Sequence, residues 1–345
     1  MEIMNTRLVK QDIYTDKSLT GLSRRCDWFI NGEQLINITN TNKPKTIFLT
    51  GYRGNKGIRY LSSLLPSITS EFILIIASED YTFPNGTGDL RWNIYKDSKD
   101  IIQKILDSEY LKHIFVENLD TKHEKMSPIP LGLLMPDKIN LDLIKFNNID
   151  ERTTLCLCRH RTRERTGQWK DRFIADTLCK DKWSGFVKFI DKEISKTDFI
   201  KELSNSKFCL CIHGGGYDPC PRFFECILNG TIPIIQHSPL DDIFLRFPVV
   251  FIDELDETSL SREFLINKLQ ELREFYEEDK KKELLELLTL DYWWNIITKK
   301  IKSRKCENPA CNFTIHSNIL NNGGTHCCLA CKNYNSHGPF CERNL

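Results

Sequence analysis

The sequence predicts an α/β protein built as two lobes, followed by a helical segment and a small cysteine-rich tail. Three observations carry this expectation. Apolar runs of strand length alternate with stretches of helical spacing from residue 45 to residue 252. A polar, Asn-rich stretch over residues 135–150 divides that alternation in two, and leucines recur at helical spacing over residues 261–302. At 345 residues the chain is long enough for about two domains, and 40% apolar residues suffice for a core in each. The expected boundaries are 1–150 for the first lobe and its linker, 151–260 for the second lobe, 261–304 for helices packing back on the lobes, and 305–345 for the tail.

Composition narrows the function. Forty-eight basic residues against 47 acidic ones leave the chain near neutral, which argues against a dedicated nucleic-acid binder and against DNA as a partner. Residues 1–18 lack the apolar core of a signal peptide, and nowhere do 18 apolar residues run together, so no transmembrane segment is expected. A reducing cytoplasm is the expected compartment. The Asn, Ile and Lys bias suggests an AT-rich genome, and for a viral source the compartment becomes the host cytoplasm.

In the first lobe, Cys26-Asp27-Trp28-Phe29-Ile30 suggests a short strand, and residues 46–50 a buried one. The loop Gly51-Tyr52-Arg53-Gly54-Asn55-Lys56-Gly57 precedes helical spacing over residues 58–65. Residues 72–77 form the next strand candidate and end at Ser78-Glu79-Asp80-Tyr81. Ligands of open α/β sheets bind beyond the carboxyl ends of strands, so both loops should face one crevice. A helix over residues 98–108 leads to a strand with a polar end, His113-Ile114-Phe115-Val116-Glu117-Asn118, and then to Ile129-Pro130-Leu131-Gly132-Leu133.

The second lobe opens with a strand over residues 153–158, in which Cys156 and Cys158 point to one side as small core side chains, like Cys209 and Cys211 later. Five arginines follow within residues 159–172, at the turn from this strand into a helix. They read as a cationic rim for phosphates, with a solvated basic loop or an RNA contact as the alternatives. Residues 198–203 form a short helix before the strand candidate 208–212. That strand runs into His213-Gly214-Gly215-Gly216-Tyr217, a loop whose backbone N–H groups can approach a ligand without a Cβ in the way. Pro219 and Pro221 punctuate it, and the helix over residues 222–228 carries Arg222 and Glu225 on one face. A helix N-terminus with an arginine beside it suits a diphosphate, and Glu225 suits ribose hydroxyls. Strand candidates 231–236 and 249–252 complete a parallel pattern.

This order of parts resembles the donor-binding core of the exostosin-like glycosyltransferases. Phe-Val-Glu-Asn followed by Ile-Pro-Leu-Gly-Leu resembles the passage that joins the lobes in that family. The resemblance implies two facing Rossmann-like lobes of the GT-B type and a nucleotide-sugar donor, UDP-linked by preference. The acceptor would be a hydroxyl on a glycan or protein. The donor-binding residues implied are Arg161, Arg163, Arg165, Arg172, His213, Gly214, Gly215, Gly216, Tyr217, Arg222 and Glu225, and the resemblance does not choose among the first four arginines. Breaking the bond to the diphosphate needs charge stabilisation of the leaving group and deprotonation of the acceptor. The second lobe has no Asp-x-Asp in a strand-end loop, so no catalytic metal is expected and the cations take its place. Asp80, with Glu79, is the candidate base from the facing lobe; a turn cap is the plain alternative for Asp80, and His123 and His213 come second. Inverting and retaining outcomes both stay open.

The tail needs staples, being too short and polar to form a core unaided. Cys306, Cys311, His326, Cys328, Cys331, His337 and Cys341 are candidate ligands of a structural zinc; three disulfides or free thiols are the alternatives. Such a module suits a protein partner. A catalytically silent nucleotide or glycan binder, or an RNA binder using the 159–172 patch, competes with the enzyme.

Overall fold

A computed structural model describes residues 21–50, 55–77, 81–87, 98–132, 146–161, 170–214 and 216–302. Within them the chain forms two sheets, of six and five strands. The first contains β1 (Trp28–Asn31), β2 (Gln34–Asn37), β3 (Thr46–Thr50), β4 (Phe72–Ala77), β5 (Leu111–Val116) and β6 (Met126–Pro128), in the order β2-β1-β3-β4-β5-β6. Only the β1/β2 hairpin is antiparallel. Its two-residue loop places Gly32 at φ 57°, a conformation that glycine adopts without steric cost.

From β1 and β3 to β6 this sheet grows in one direction. Right-handed crossovers therefore put α1 (Lys56–Leu64) and α2 (Lys99–Leu106) on the same face and leave the other face without a cover of its own. The strands are apolar on both sides nonetheless. In β4, Phe72, Leu74 and Ile76 belong to one core, while Ile73, Ile75 and Ala77 belong to a second that contains Leu22, Leu290 and Ile297. The cover for this second face comes from the far end of the chain, where α9 (Leu290–Lys302) packs against β4 and β5.

The second sheet contains β7 (Thr154–Cys158), β8 (Val187–Phe189), β9 (Ser206–Leu210), β10 (Ile232–Gln236) and β11 (Val250–Ile252), all parallel, in the order β11-β10-β9-β7-β8. The chain first moves outward from β7 to β8, then returns past β7 to β9 and continues the other way. The reversal puts α3 (Lys170–Lys180) on one face, and α4 (Lys196–Ser204) and α5 (Pro221–Leu228) on the opposite one. It also opens a crevice between the carboxyl ends of β7 and β9, the place where such sheets bind ligands. The short α6 (Asp241–Phe244), then α7 (Arg262–Leu272) and α8 (Lys281–Glu286), complete the helices.

The amino end of this sheet is locked by Arg152, which is 3% exposed. Its Nη1 donates to the Ser206 carbonyl at 2.9 Å and to Thr231 Oγ1 at 3.0 Å; its Nη2 donates to the carbonyls of Asn147 and Asn229, both at 3.0 Å. Burial pulls the guanidinium down to about 10, yet it keeps its charge at neutral pH.

The strands differ from the expected ones at their ends and by three additions. β5 and β9 each begin two residues earlier than expected, and β2, β6 and β8 are additional. β6 precedes the Ile-Pro-Leu-Gly-Leu stretch and pairs with β5, and Ile129 is buried in the second core. No helix among the described residues is long and apolar enough to cross a membrane.

Candidate functional site

Beyond the carboxyl ends of β7 and β9 lies a cleft of about 370 Å³, lined by Arg159, Arg161, Lys196, Arg222 and Glu225 with Phe199 at its apolar wall. Each side chain arrives by a local rule. Arg159 and Arg161 sit in the loop that leaves β7. Arg222 and Glu225 lie three residues apart on the first turns of α5, which Pro221 starts with its fixed φ. Lys196 opens α4, whose N-cap Ser195 accepts a hydrogen bond from the Asp198 amide at 3.0 Å.

Five cations, Arg172 among them, share the cleft with one carboxylate. Glu225 is ion-paired with Lys196, and Arg161 lies 3.4 Å from Glu193 with both groups exposed. Arg159 is held below the ordinary arginine range, by burial first and then by the charges of Arg222 and Arg161. At Arg222, Nη1 is buried and has no hydrogen-bond partner. A buried donor without an acceptor is rare in a native protein, and here it stands in a cation-rich cleft beside a helix N-terminus. The arrangement can hold an anion with several oxygens.

The walls are stitched together by Arg172, at the start of α3 and 4% exposed. It donates from Nε to the His213 carbonyl (3.1 Å), from Nη1 to the Arg161 carbonyl (2.7 Å) and from Nη2 to Cys220 Sγ (2.9 Å). The arginine turn and the glycine loop thus lie against each other. At Gly214 a Cβ would stand 2.7 Å from Arg172 Nη2 and 3.1 Å from Cys220 Sγ. Gly214 makes room for arginine. Cys220 caps α5 at φ 70°, ψ 164°, a region that glycine alone adopts easily, and Asp218 Oδ1 accepts its amide at 2.6 Å. His213 is tied to Asp171 at 2.8 Å, and this hydrogen bond holds the Asp171 carboxyl below its usual range. Beneath the turn, His160 meets Asp176 at 2.6 Å; burial opposes protonation of the imidazole, but the Asp176 bond and Cys158 lift it above its ordinary value.

The first lobe reaches this loop from across the crevice. Asn118, in the turn two residues beyond β5, accepts the Tyr217 amide on Oδ1 at 3.2 Å, and the Tyr217 hydroxyl lies 3.4 Å from Thr87 Oγ1. Gly216, just before Tyr217, takes φ 69°. Glu79, Asp80, Arg163, Arg165 and Gly215 lie outside the described residues, as do the tail ligands Cys306, Cys311, His326, Cys328, Cys331, His337 and Cys341. The second-choice base His123 sits in an exposed turn, where Nδ1 accepts the Lys125 amide at 3.1 Å. Sequence reasoning missed Lys196 and Asn118. For Lys196 a signal existed, since Ser195-Lys196-Thr197-Asp198 has the spacing of a capping motif that starts a helix there.

No family model matches the chain, and no curated protein matches it either. Among solved structures, the chain is similar to HepE of Anabaena in complex with UDP, at 8% identity and a TM-score of 0.43, covering 76% of this chain and 80% of that one. It is also similar to a glycosyltransferase from Rickettsia africae, at 10% identity and a TM-score of 0.42, covering 75% and 78%. A third is an α-glucosyltransferase in complex with UDP and a 13-mer DNA, at 12% identity and a TM-score of 0.38, covering 75% and 81%. The fold assignment rests on the two strand orders.

Proposed function

We propose that the protein is a glycosyltransferase that takes a sugar from a nucleoside-diphosphate sugar and passes it to a hydroxyl acceptor. The observation that carries this reading is the buried, unpartnered Nη1 of Arg222 in a cleft with four further cations, at the reversal point of the second sheet. In the proposal Arg222, Arg159 and Arg161 hold the diphosphate with the first amides of α5, and they stabilise the charge that grows on it as the bond to the sugar breaks. Glu225 takes the ribose hydroxyls, exchanging its contact with Lys196. Arg172 acts as a positioning residue that keeps the two loops together. Tyr217, His213 and the glycines around them shape the side of the pocket that faces the first lobe, and Arg163 and Arg165 extend its cationic rim.

The order of these parts resembles the exostosin-like enzymes, and UDP-sugars are the first donors to try. Asp80, or Glu79 beside it, is proposed as the base that deprotonates the acceptor. The proposed acceptors are glycans and protein hydroxyls. The tail is proposed to hold one zinc through its cysteines and histidines.

The test is a panel of UDP- and GDP-sugars, read first by thermal shift and then by release of nucleoside diphosphate. Saccharides, peptides and duplex DNA are supplied as acceptors. Arg222→Ala should weaken binding of the matching donor by roughly 30-fold, as expected for a lost charge-assisted contact worth about 2 kcal/mol. Asp80→Asn should bind the donor normally and release nothing. A chain that binds a donor and never releases its nucleotide is a binding module; a chain whose melting temperature no nucleotide raises is not a nucleotide-sugar enzyme.

A further inference from the structure

On the face of the second sheet opposite α3, three thiols converge. Cys209 and Cys211 are two residues apart on and just beyond β9, so their side chains point the same way. The parallel register sets Cys209 beside Leu157, and Cys156 and Cys158 beside Phe208 and Leu210. The two cysteine pairs of this sheet therefore face opposite sides. Cys156 and Cys158 look toward α3, where Cys179 lies. Cys209 and Cys211 look toward α5, which presents Cys226. All three sulfurs of the latter group lie within 4.8 Å of one another, and Cys211 and Cys226 Sγ are 3.6 Å apart. Among the described residues this is the one group of three or more cysteine, histidine or acidic side chains whose ligand atoms come together in this way.

The spacing is close to what a metal asks for. Zinc–thiolate bonds of about 2.3 Å in a tetrahedron put neighbouring sulfurs about 3.8 Å apart, so a small rotation at one cysteine closes the set. The three sulfurs are fully buried, at 0–1% exposure, and a trio of thiolates there needs a countercharge. Arg222, four residues before Cys226, supplies one. Three thiolates around a dication leave a single negative charge, which one guanidinium matches.

We propose that Cys209, Cys211 and Cys226 form a structural zinc site, distinct from the cysteine-rich tail, that ties β9 to α5. Loading releases the three thiol protons to solvent, and the protein supplies three of the four ligands that zinc takes. The two elements so joined carry the glycine loop and the Arg222/Glu225 pair. The metal accordingly holds the floor of the cleft while taking no part in chemistry there.

The full-length chain is stripped of metal under reducing conditions, reloaded with Zn²⁺ and counted. Cobalt is loaded in parallel to read the thiolate charge-transfer absorption. Cys226→Ala should bind one equivalent less than the unaltered chain, with a matching drop in cobalt absorption, whereas Cys179→Ala on the other face should lose none. Metal held by the tail cancels in this difference. Equal counts in the two variants overturn the site. If Cys226→Ala fails to fold, crystals of the unaltered chain grown with zinc decide, by anomalous scattering at the zinc edge. A peak among the three sulfurs upholds the site, and a loaded crystal without one removes it. Uptake of Cu⁺ by a chain that takes up no Zn²⁺ would show a copper site and likewise overturn the proposal.

Discussion

Two arginines mark the two ends of the second sheet, and they are treated in opposite ways. At the amino end, Arg152 is enclosed and its guanidinium is spent on three carbonyls and a threonine hydroxyl. At the carboxyl end, Arg222 lines an open cleft and keeps Nη1 buried without an acceptor. Burial lowers the first to about 10. It works against the second as well, but the sulfurs of Cys220, Cys209 and Cys211 outweigh it and hold Arg222 above the ordinary range. The amino end is finished as a scaffold; the carboxyl end is left with binding capacity unspent. Arg172 shows that position alone does not decide this, since it stands at the carboxyl end and is spent like Arg152.

Exchanging each arginine for methionine, which has similar length and no charge, tests the contrast most strongly. Arg152→Met leaves several carbonyls and the Thr231 hydroxyl without their donor, and should lower stability by about 4 kcal/mol. Arg222→Met loses no protein hydrogen bond, so in metal-free, nucleotide-free buffer it should change stability by less than about 1 kcal/mol. Urea unfolding of both variants gives the comparison. Equal losses would mean that Arg222 is part of the scaffold too, and the reading of the cleft would lose its main support.

A buried histidine of the first lobe sharpens the same point, because it can do what arginine cannot and give up its charge. His113 on β5 is 3% exposed and meets Ser127 Oγ at 2.8 Å. Burial, with smaller contributions from Lys300 and His123, lowers it to about 4. Above pH 6.5 the imidazole is neutral in both folded and unfolded chains and contributes no pH dependence. As the pH falls from 6.5 toward 4, the unfolded chain takes up a proton that the folded one refuses, and stability drains away by up to about 3 kcal/mol. His113→Gln has no such group. The difference in stability between the two proteins, followed from pH 7 to pH 4, should shift by that amount in favour of the variant. A difference flat in pH would place a charged imidazole in the core.

How far the sequence reveals these features depends on whether they are local. β3 and β4 are legible because central parallel strands are covered on both faces and read as unbroken apolar runs, TIFLT and FILIIA. β2 is half exposed and β8 has three residues, so neither leaves an apolar run to read. The hairpin signal Asn31-Gly32 was nevertheless present for β2. Arg222 and Glu225 are legible as a pair because a helix fixes their spacing. Lys196 reaches Glu225 only because α4 and α5 share a face, which follows from the order of five strands and from no short stretch of chain. The role of Arg172 is hidden for the same reason. Its acceptors are Arg161, His213 and Cys220, up to 48 residues away.

The smallest expected effect carries the most specific information about that hidden role. Gly214 has no positive φ, so its backbone does not demand glycine; what demands it is the guanidinium 2.7 Å from where a Cβ would stand. In the unaltered chain, Gly214→Ala must push Arg172 away from the carbonyls it holds. That should cost about 1 to 2 kcal/mol, with a weaker grip on nucleotide as the two loops part. In an Arg172→Met background the flexible thioether can yield, and the same alanine should become neutral or stabilising by about 0.5 kcal/mol through the unfolded chain. A sign change between the two backgrounds, measured as a double-mutant cycle by urea unfolding, is the signature of a glycine kept for an arginine. An equal cost in both would return Gly214 to the backbone or to a ligand.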